Sequence, residues 1–81
     1  MTDTAIRDTV LRQLCEIAPE VDPAVVRPDV DLRDQLDLDS MDLLNLVVAV
    51  DHELGVEIPE SDYGEVMTID GLVAYVRARL G

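Results

Sequence analysis

The chain has 81 residues, enough for one domain with a modest core, and it is strongly acidic: 18 aspartates and glutamates face six arginines, for a formal net charge of −12. This balance disfavours nucleic acid and anionic membranes as partners and favours proteins with basic surfaces. One cysteine and one histidine exclude an internal disulfide and a four-ligand zinc site built by this chain alone, and a hydrophobic content of 48% argues against disorder.

The N-terminal residues mix charges and lack the apolar core of a signal peptide. No stretch approaches the roughly 20 apolar residues of a membrane span. We therefore expect a soluble, monomeric cytoplasmic protein that forms a single domain over residues 1–81, with an organelle of bacterial ancestry as an alternative location.

The first segment predicts an amphipathic helix over about Asp3 to Ala18, ended by Pro19. Apolar residues recur on one helical face at steps of four, four and three. They are Ile6, Val10, Leu14 and Ile17. Cys15 widens this face, and we expect a small core or boundary residue because no lysine or histidine stands near it in sequence to activate the thiol.

A long connection follows from Pro19 to Leu38, punctuated by Pro23 and Pro28. A connection of this length is unusual in a compact domain unless its own side chains pack it down. The apolar residues spaced through it predict a loop folded onto the helices, with a short turn of helix near Leu32 to Leu36.

The second long helix is predicted to start at Asp39 or Ser40, since either is an acceptable N-cap, and to run to about Leu54. Gly55 follows as the terminating glycine. The apolar positions predict a buried face of Leu44, Val47, Val50 and Leu54, flanked by Leu43, Leu46 and Val48. These exceed what one buried face needs, so we expect one or two to remain exposed.

The last third of the chain predicts an extended link, a short helix and a final long helix. The link is Val56 to Pro59, and the short helix runs from Glu60 to about Val66. Thr68 is placed to cap a helix of about Ile69 to Leu80. The predicted fold is an all-α, small four-helix bundle, with three longer helices, one short helix and a long first connection.

Ser40 stands alone among carboxylates at the start of the most apolar helix. A serine hydroxyl is a poor nucleophile without a base, and His52 lies twelve residues further along, about 18 Å away at the helical rise. We therefore expect no enzymatic activity from this chain. The residue chemistry leaves two roles open for Ser40: a helix cap, or a hydroxyl that another protein modifies.

The run Asp39-Ser40-Met41 resembles the Asp-Ser-Leu signature of acyl carrier proteins. Upstream, Asp31 to Leu36 is similar to the lead-in of that family, and downstream Leu54 to Pro59 is similar to the stretch that ends its second helix. Thr68-Ile69 and the final amphipathic helix fit as well. The resemblance covers about residues 3 to 80.

The resemblance implies that Ser40 receives 4′-phosphopantetheine from coenzyme A through a separate phosphopantetheinyl transferase. The thiol of that arm would carry acyl groups as thioesters for fatty-acid, polyketide or related acyl biosynthesis. Implied partners are the transferase and acyl-transferring or acyl-processing enzymes with basic docking surfaces. A peptidyl or aminoacyl carrier and an unmodified acidic interaction module remain as alternatives.

The second helix is expected to supply the docking surface for these partners. The acidic and polar candidates are Asp39, Asp42, Asn45 and Asp51, the apolar ones Val48 or Leu43, and Met41 beside the serine. Three residues depart from the family pattern: Met41 replaces the usual leucine, Asn45 stands where a carboxylate is common, and His52 is less acidic than expected. These departures suggest a specialised carrier with its own partners.

A calcium site is the competing interpretation of the acidic stretch from Asp29 to Ser40. An EF-hand loop needs glycine at its sixth position and glutamate at its twelfth, where this chain has Asp34 and Ser40. We therefore expect no specific metal site, only weak divalent-cation binding to the acidic surface.

Overall fold

The computed structural model describes residues 2–80, and every regular element in that range is helical. In chain order the elements are α1 (Asp3–Ile17), the 3₁₀ turn η1 (Pro23–Val25), α2 (Leu32–Leu36), α3 (Ser40–Leu54), the 3₁₀ helix η2 (Glu60–Val66) and α4 (Ile69–Leu80). This confirms the predicted all-α bundle and the helical turn within the first connection. No helix between residues 2 and 80 is both long enough and apolar enough to cross a membrane.

The core is aliphatic and lies where α1 packs against both α3 and α4. The fully buried face of α1 consists of Ile6, Val10 and Leu14. From α3 come Leu43, Leu46, Val47 and Val50, and from α4 come Ile69, Leu72, Val73 and Val76. Burial of these side chains is the main favourable contribution to folding, since no polar side chain among residues 2–80 is fully buried.

The first connection is an ordered structure that fixes where α3 begins. Leu32 is completely buried, and its backbone N–H donates to the carbonyl of Met67 at 2.9 Å. The side-chain amide of Gln35 accepts from the N–H of Arg27 at 2.8 Å and donates to the carbonyls of Arg27 at 2.7 Å and Val30 at 2.9 Å. A single glutamine side chain thus adds three hydrogen bonds to the backbone bonds that hold this irregular segment.

Cys15 is half-buried at the inner edge of the same connection. Its thiol lies 3.7 Å from the carbonyl oxygen of Val21, with geometry suited to a weak S–H···O hydrogen bond. The predicted boundary position is confirmed, and the cysteine helps hold the chain as it leaves α1.

The short helix η2 approaches α4 closely at Gly71. A Cβ atom added to Gly71 would overlap the carbonyl oxygen of Glu65 and lie 3.0 Å from Thr68 Oγ1. Thr68 is the predicted cap of α4, and its hydroxyl accepts from the N–H of Gly71 at 2.9 Å. The absence of a side chain at Gly71 thus lets η2 rest on the first turn of α4.

A polar cluster joins η2 to the other end of α4. The Tyr75 hydroxyl donates to Asp62 at 2.6 Å, and Arg79 donates to the same hydroxyl at 2.6 Å. The guanidinium of Arg79 also lies 4.9 Å from the centre of the Tyr75 ring. Of the residues in η2 only Val66 is fully buried, and this cluster adds polar contacts between η2 and α4 beside it.

Candidate functional site

Ser40 is the first residue of α3, and the residue before it performs the capping. The side chain of Asp39 accepts a hydrogen bond from the N–H of Asp42 at 2.9 Å, while its backbone carbonyl accepts from the N–H of Leu43 at 3.2 Å. Asp39 has an extended backbone, as an N-cap requires. Of the two N-cap candidates that the sequence allowed, Asp39 is therefore the cap. The exposed Ser40 hydroxyl has no hydrogen-bond partner within residues 2–80.

Buried side chains on both sides hold Ser40 at the surface. Leu38 is 9% exposed and Leu43 is 3% exposed, so the chain is anchored two residues before the serine and three residues after it. Asp37 adopts a left-handed backbone, with φ of 57°, which ends α2 and turns the chain toward α3. The hydroxyl is exposed at the corner between α2 and α3.

The start of α3 offers free backbone donors beside this hydroxyl. The amides of Ser40 and Met41 belong to the first turn, where no intrahelical acceptor exists, and neither finds one elsewhere between residues 2 and 80. These amides and the helix dipole favour a negatively charged group at this end of the helix. The carboxylates of Asp39 and Asp42 oppose that attraction.

The exposed side of α3 continues away from Ser40 through three of the predicted docking residues. Met41 is 61% exposed and Val48 is 53% exposed, the two largest exposures of big apolar side chains on any described long helix. Asn45 lies between them on the same face and is also exposed. Asp39 is exposed and Asp42 is half-buried at the end nearest Ser40.

Two of the predicted docking residues are placed elsewhere by the structure. Leu43 packs in the core, so it cannot supply an exposed apolar contact. Asp51 is half-buried: one carboxylate oxygen accepts from the N–H of Ile58 at 3.2 Å, and the other is buried without a partner among the described residues. We correct both predictions, since Asp51 fastens the link after α3 to its own helix.

The environment of Asp51 is unfavourable to its charged form. Burial raises the pKa of this carboxyl, and the nearby Glu57 acts in the same direction, while the hydrogen bond from Ile58 opposes them. Asp51 therefore has a structural role. No sequence pattern indicates this role, because the hydrogen bond from Ile58 depends on how the link after α3 folds back onto the helix.

Within the acidic stretch considered as a calcium loop, Asp31 and Asp39 are both engaged in capping helices. Asp31 caps α2 and binds Arg33 at 2.9 Å, and the hydrogen bond from Arg33 lowers the pKa of Asp31. Within residues 2–80, no group of three or more histidine, cysteine or acidic side chains is arranged to hold a metal ion. Nothing in this segment therefore supports a specific cation site.

A groove of about 540 Å³ lies between α1 and α3, and no sequence pattern predicted it. Arg12 and Gln13 on α1 both donate to Glu53 on α3, and the exposed Val48 lines the same groove. These contacts join residues about 40 positions apart, which no local pattern reveals.

Comparison with known proteins decides the family. Residues 8–76 match the phosphopantetheine attachment site family. The chain belongs to the acyl carrier protein family. As a member, it carries acyl groups on a covalently attached 4′-phosphopantetheine arm.

Relatives and structures agree with this assignment. The carrier is 32% identical to an acyl carrier protein of Rubrobacter xylanophilus, over 86% of this chain and 90% of that one. It is 31% identical to the acyl carrier protein of Thermotoga maritima, over 95% of this chain and 99% of that one. It is also 32% identical to a meromycolate extension acyl carrier protein of Mycolicibacterium smegmatis, over 90% of this chain and 77% of that one. Its fold matches the acyl carrier protein from Enterococcus faecalis with a TM-score of 0.81 at 22% identity, covering 98% and 99% of the two chains.

Proposed function

We propose that Ser40 is the residue that bears the phosphopantetheine arm of this carrier. The single observation that carries the proposal is that Asp39 performs the capping, which leaves an exposed hydroxyl at a helix start with no structural task. The chain has one other serine, Ser61, which lies in η2 and has no long helix beginning at it. Ser40 is therefore the serine that fits the group.

The surroundings of Ser40 fit a phosphodiester. The free amides of Ser40 and Met41 can donate to phosphate oxygens, and the arm extends into solvent because the residue is exposed. In the transfer, the Ser40 oxygen forms a bond to phosphorus, the pyrophosphate bond of coenzyme A breaks, and its adenosine bisphosphate half leaves. The hydroxyl proton passes to a base of the transferase, since His52 of this chain is about 18 Å away.

The test is intact mass after incubation with coenzyme A and a broad-specificity phosphopantetheinyl transferase. Ser40→Ala is compared with Ser61→Ala, which removes the other serine hydroxyl of the chain. We expect one added phosphopantetheine on the parent and on Ser61→Ala, and none on Ser40→Ala. An arm on Ser40→Ala would place the attachment elsewhere.

We also propose that the exposed face of α3 near Ser40 docks the transferase and the acyl-processing enzymes. The proposed surface consists of Asp39, Met41, Asp42, Asn45 and Val48. Its support is that the carboxylates nearest Ser40 lie beside two exposed apolar side chains. Charged contacts of this kind raise the encounter rate with a basic partner more than they raise affinity.

Charge reversal at Asp42 tests whether the carboxylates of this surface contribute to docking. Asp42→Lys should slow arm transfer at low salt, and the deficit should shrink as salt screens the charges. Asp8→Lys, an exposed acid on α1, makes the same change in net charge at a site away from α3. Equal transfer rates for the two variants would remove Asp42 from the docking surface.

We further propose that the carrier works in the cytoplasm as a monomer, without catalysing a reaction itself. The support is an unpaired, half-buried Cys15, which is compatible with a reducing compartment. Size-exclusion chromatography with light scattering on the holo protein tests the oligomeric state, and a dimer mass would overturn that part.

A further inference from the structure

The first connection presents an apolar side chain to solvent beside α2. Val25 of η1 is 68% exposed, more than any other large apolar side chain between residues 2 and 80. Together with the half-buried Val21 and Leu36, it lines a groove of about 560 Å³ between the connection and α2. No residue of η1 is buried, so packing of the core does not explain why the chain forms this turn.

Polar contacts hold this turn in one conformation. The side chain of Asp22 accepts from the N–H of Ala24 at 2.9 Å, and the backbone carbonyl of Asp22 accepts from the N–H of Val25 at 3.1 Å. Across the groove, the side chain of Gln35 joins α2 to the backbone of Arg27. Val25 is therefore held out on a preformed surface, which a partner can bind without first ordering it.

Carboxylates without ion-pair partners surround this apolar patch. Four acids line the groove, all are exposed, and none forms an ion pair within residues 2–80. They are Glu20, Asp22, Asp34 and Asp37. The remaining polar residue in the lining, Gln35, is neutral, so the groove has four negative charges and no positive one.

Two other grooves of similar size contain arginines that pair with acids. One lies between α1 and α3, the other between α1 and α4. The pairs are Arg12 with Glu53 in the first, and Arg7 with Asp70 and Arg77 with Asp3 in the second. Of these three grooves, the one beside α2 therefore has the largest excess of negative charge. Its potential attracts basic groups and repels acidic ones.

The groove ends close to Ser40 and shares no residue with the proposed docking surface on α3. Asp37 lines it and precedes Ser40 by three residues, so their Cα atoms are at most about 11 Å apart. The phosphopantetheinyl transferase must bring its reacting atoms to the Ser40 oxygen, whereas an enzyme that acylates the thiol reacts at the far end of the arm. The second kind of enzyme can therefore dock beside Ser40 without covering it.

We propose that this groove docks the acyl-transferring enzymes that load the arm, through a basic segment of the enzyme with one apolar side chain that covers Val25. The inference rests on the proposed function of Ser40. Lysine or arginine side chains of the segment pair with the four carboxylates, and an aliphatic side chain removes Val25 from water. These enzymes then contact the carrier before and after Ser40 in the chain, whereas the transferase uses the face of α3 alone.

The experiment measures loading of the holo carrier by a bacterial malonyl transferase with malonyl-coenzyme A. In this reaction the acyl group passes from the sulfur of coenzyme A to the sulfur of the arm, and coenzyme A leaves with the proton of the arm's thiol. Val25→Ser removes the apolar contact, and Leu80→Ser is the matched control at another exposed aliphatic residue. We expect Val25→Ser to raise the KM for the carrier about fivefold with kcat unchanged, and Leu80→Ser to match the parent.

A second pair of variants tests the charges of the groove. Asp34→Lys reverses one of its four acids, and Asp8→Lys makes the same change in net charge on α1. We expect Asp34→Lys to raise the KM of the malonyl transferase for the holo carrier about tenfold at low salt and less at high salt, and Asp8→Lys to have a smaller effect. Melting curves show that each variant is folded. An unchanged KM for folded Val25→Ser or folded Asp34→Lys would overturn the inference.

Arm transfer separates this inference from the proposed function. The phosphopantetheinyl transferase should have the same KM for apo Val25→Ser as for the apo parent, and an equal rise in KM for both enzymes would overturn a surface specific to loading. Absence of the arm from the parent, or its presence on Ser40→Ala, would overturn the assignment of Ser40 and this inference with it. Normal arm transfer to Ser40 followed by loading of Val25→Ser at the KM of the parent would overturn the inference alone.

Discussion

Gly71→Ala is expected to destabilise the carrier although alanine is the better helix former. The new Cβ would overlap the carbonyl oxygen of Glu65 and lie 3.0 Å from Thr68 Oγ1. The first obstacle is backbone and cannot rotate aside. The second is the hydroxyl that caps α4, so relief by movement would weaken the cap.

The magnitude follows from two opposing effects. Replacing glycine by alanine inside a helix stabilises it by about 1 kcal/mol. Overpacking a tight contact costs about 1–3 kcal/mol, and here it must push η2 away from α4. Because the obstacle is a backbone carbonyl, the overpacking cost falls in the upper part of that range, about 2–3 kcal/mol, and the net loss is about 1–2 kcal/mol. For a domain of this size, that loss lowers Tm by about 4–16 °C.

Urea unfolding followed by far-UV circular dichroism measures this loss. Gly64→Ala is the matched control, because a Cβ at Gly64 meets no atom within 4 Å and its backbone φ is not left-handed. We expect Gly64→Ala to equal or exceed the parent in stability. Gly71→Ala at or above the stability of the parent would refute the argument that η2 rests on α4 through this glycine.

Three further results are expected. Asp51→Asn should raise the free energy of unfolding at neutral pH, since it removes a charge that burial disfavours yet keeps an oxygen for Ile58. Because the folded-state pKa of Asp51 is raised, the destabilisation by its charge decreases as pH falls through that pKa. The extra stability of Asp51→Asn should therefore vanish below about pH 4. Extra stability that persists below that pH would contradict burial of the charge as its cause. Tyr75→Phe should lower Tm and speed amide exchange in η2 by removing the bond to Asp62, and Tyr63→Phe, with no such bond, should do neither. Added salt should raise Tm by screening the net charge of −12, and a lower Tm at 0.3 M than at 0.01 M salt would contradict that.

Local signals predicted the helices and their ends well. Gly55 ends α3 with φ of 66°, and the Thr68 hydroxyl caps α4, as their residue types indicate. The turn near Leu32 was also predicted, from the apolar residues spaced through the first connection. Caps and turns depend on neighbours in sequence, so the sequence suffices to place them.

The orientation of α3 could not be predicted as well. Apolar residues occupy most of its circumference, so periodicity does not decide which of them face the core. Leu44 was expected on the buried face and is half-buried, whereas Leu43 was expected as an available contact and is buried. Packing against α1 sets this rotation, and that contact joins distant parts of the chain.

Long-range polar contacts were missed for the same reason. Nothing in the sequence indicates that Gln35 binds the backbone at Arg27, or that Arg12 reaches Glu53. For Ser40, the local residue chemistry left the roles of cap and modified hydroxyl open, and the resemblance to acyl carrier proteins favoured the second. Only the geometry of Asp39 removed the first of them.

On the proposed assignment of Ser40, the division of tasks between Asp39 and Ser40 means that modification would leave the cap of α3 unchanged. Loading and unloading the arm would change the chemistry at Ser40 while the hydrogen bond from Asp42 to Asp39 stays intact. The same fold can then bind successive partner enzymes without a conformational change at the start of α3. Ser40→Ala should accordingly keep the fold and charge of the unmodified carrier and have no capacity to be loaded, which suits it to trapping partners at the docking step.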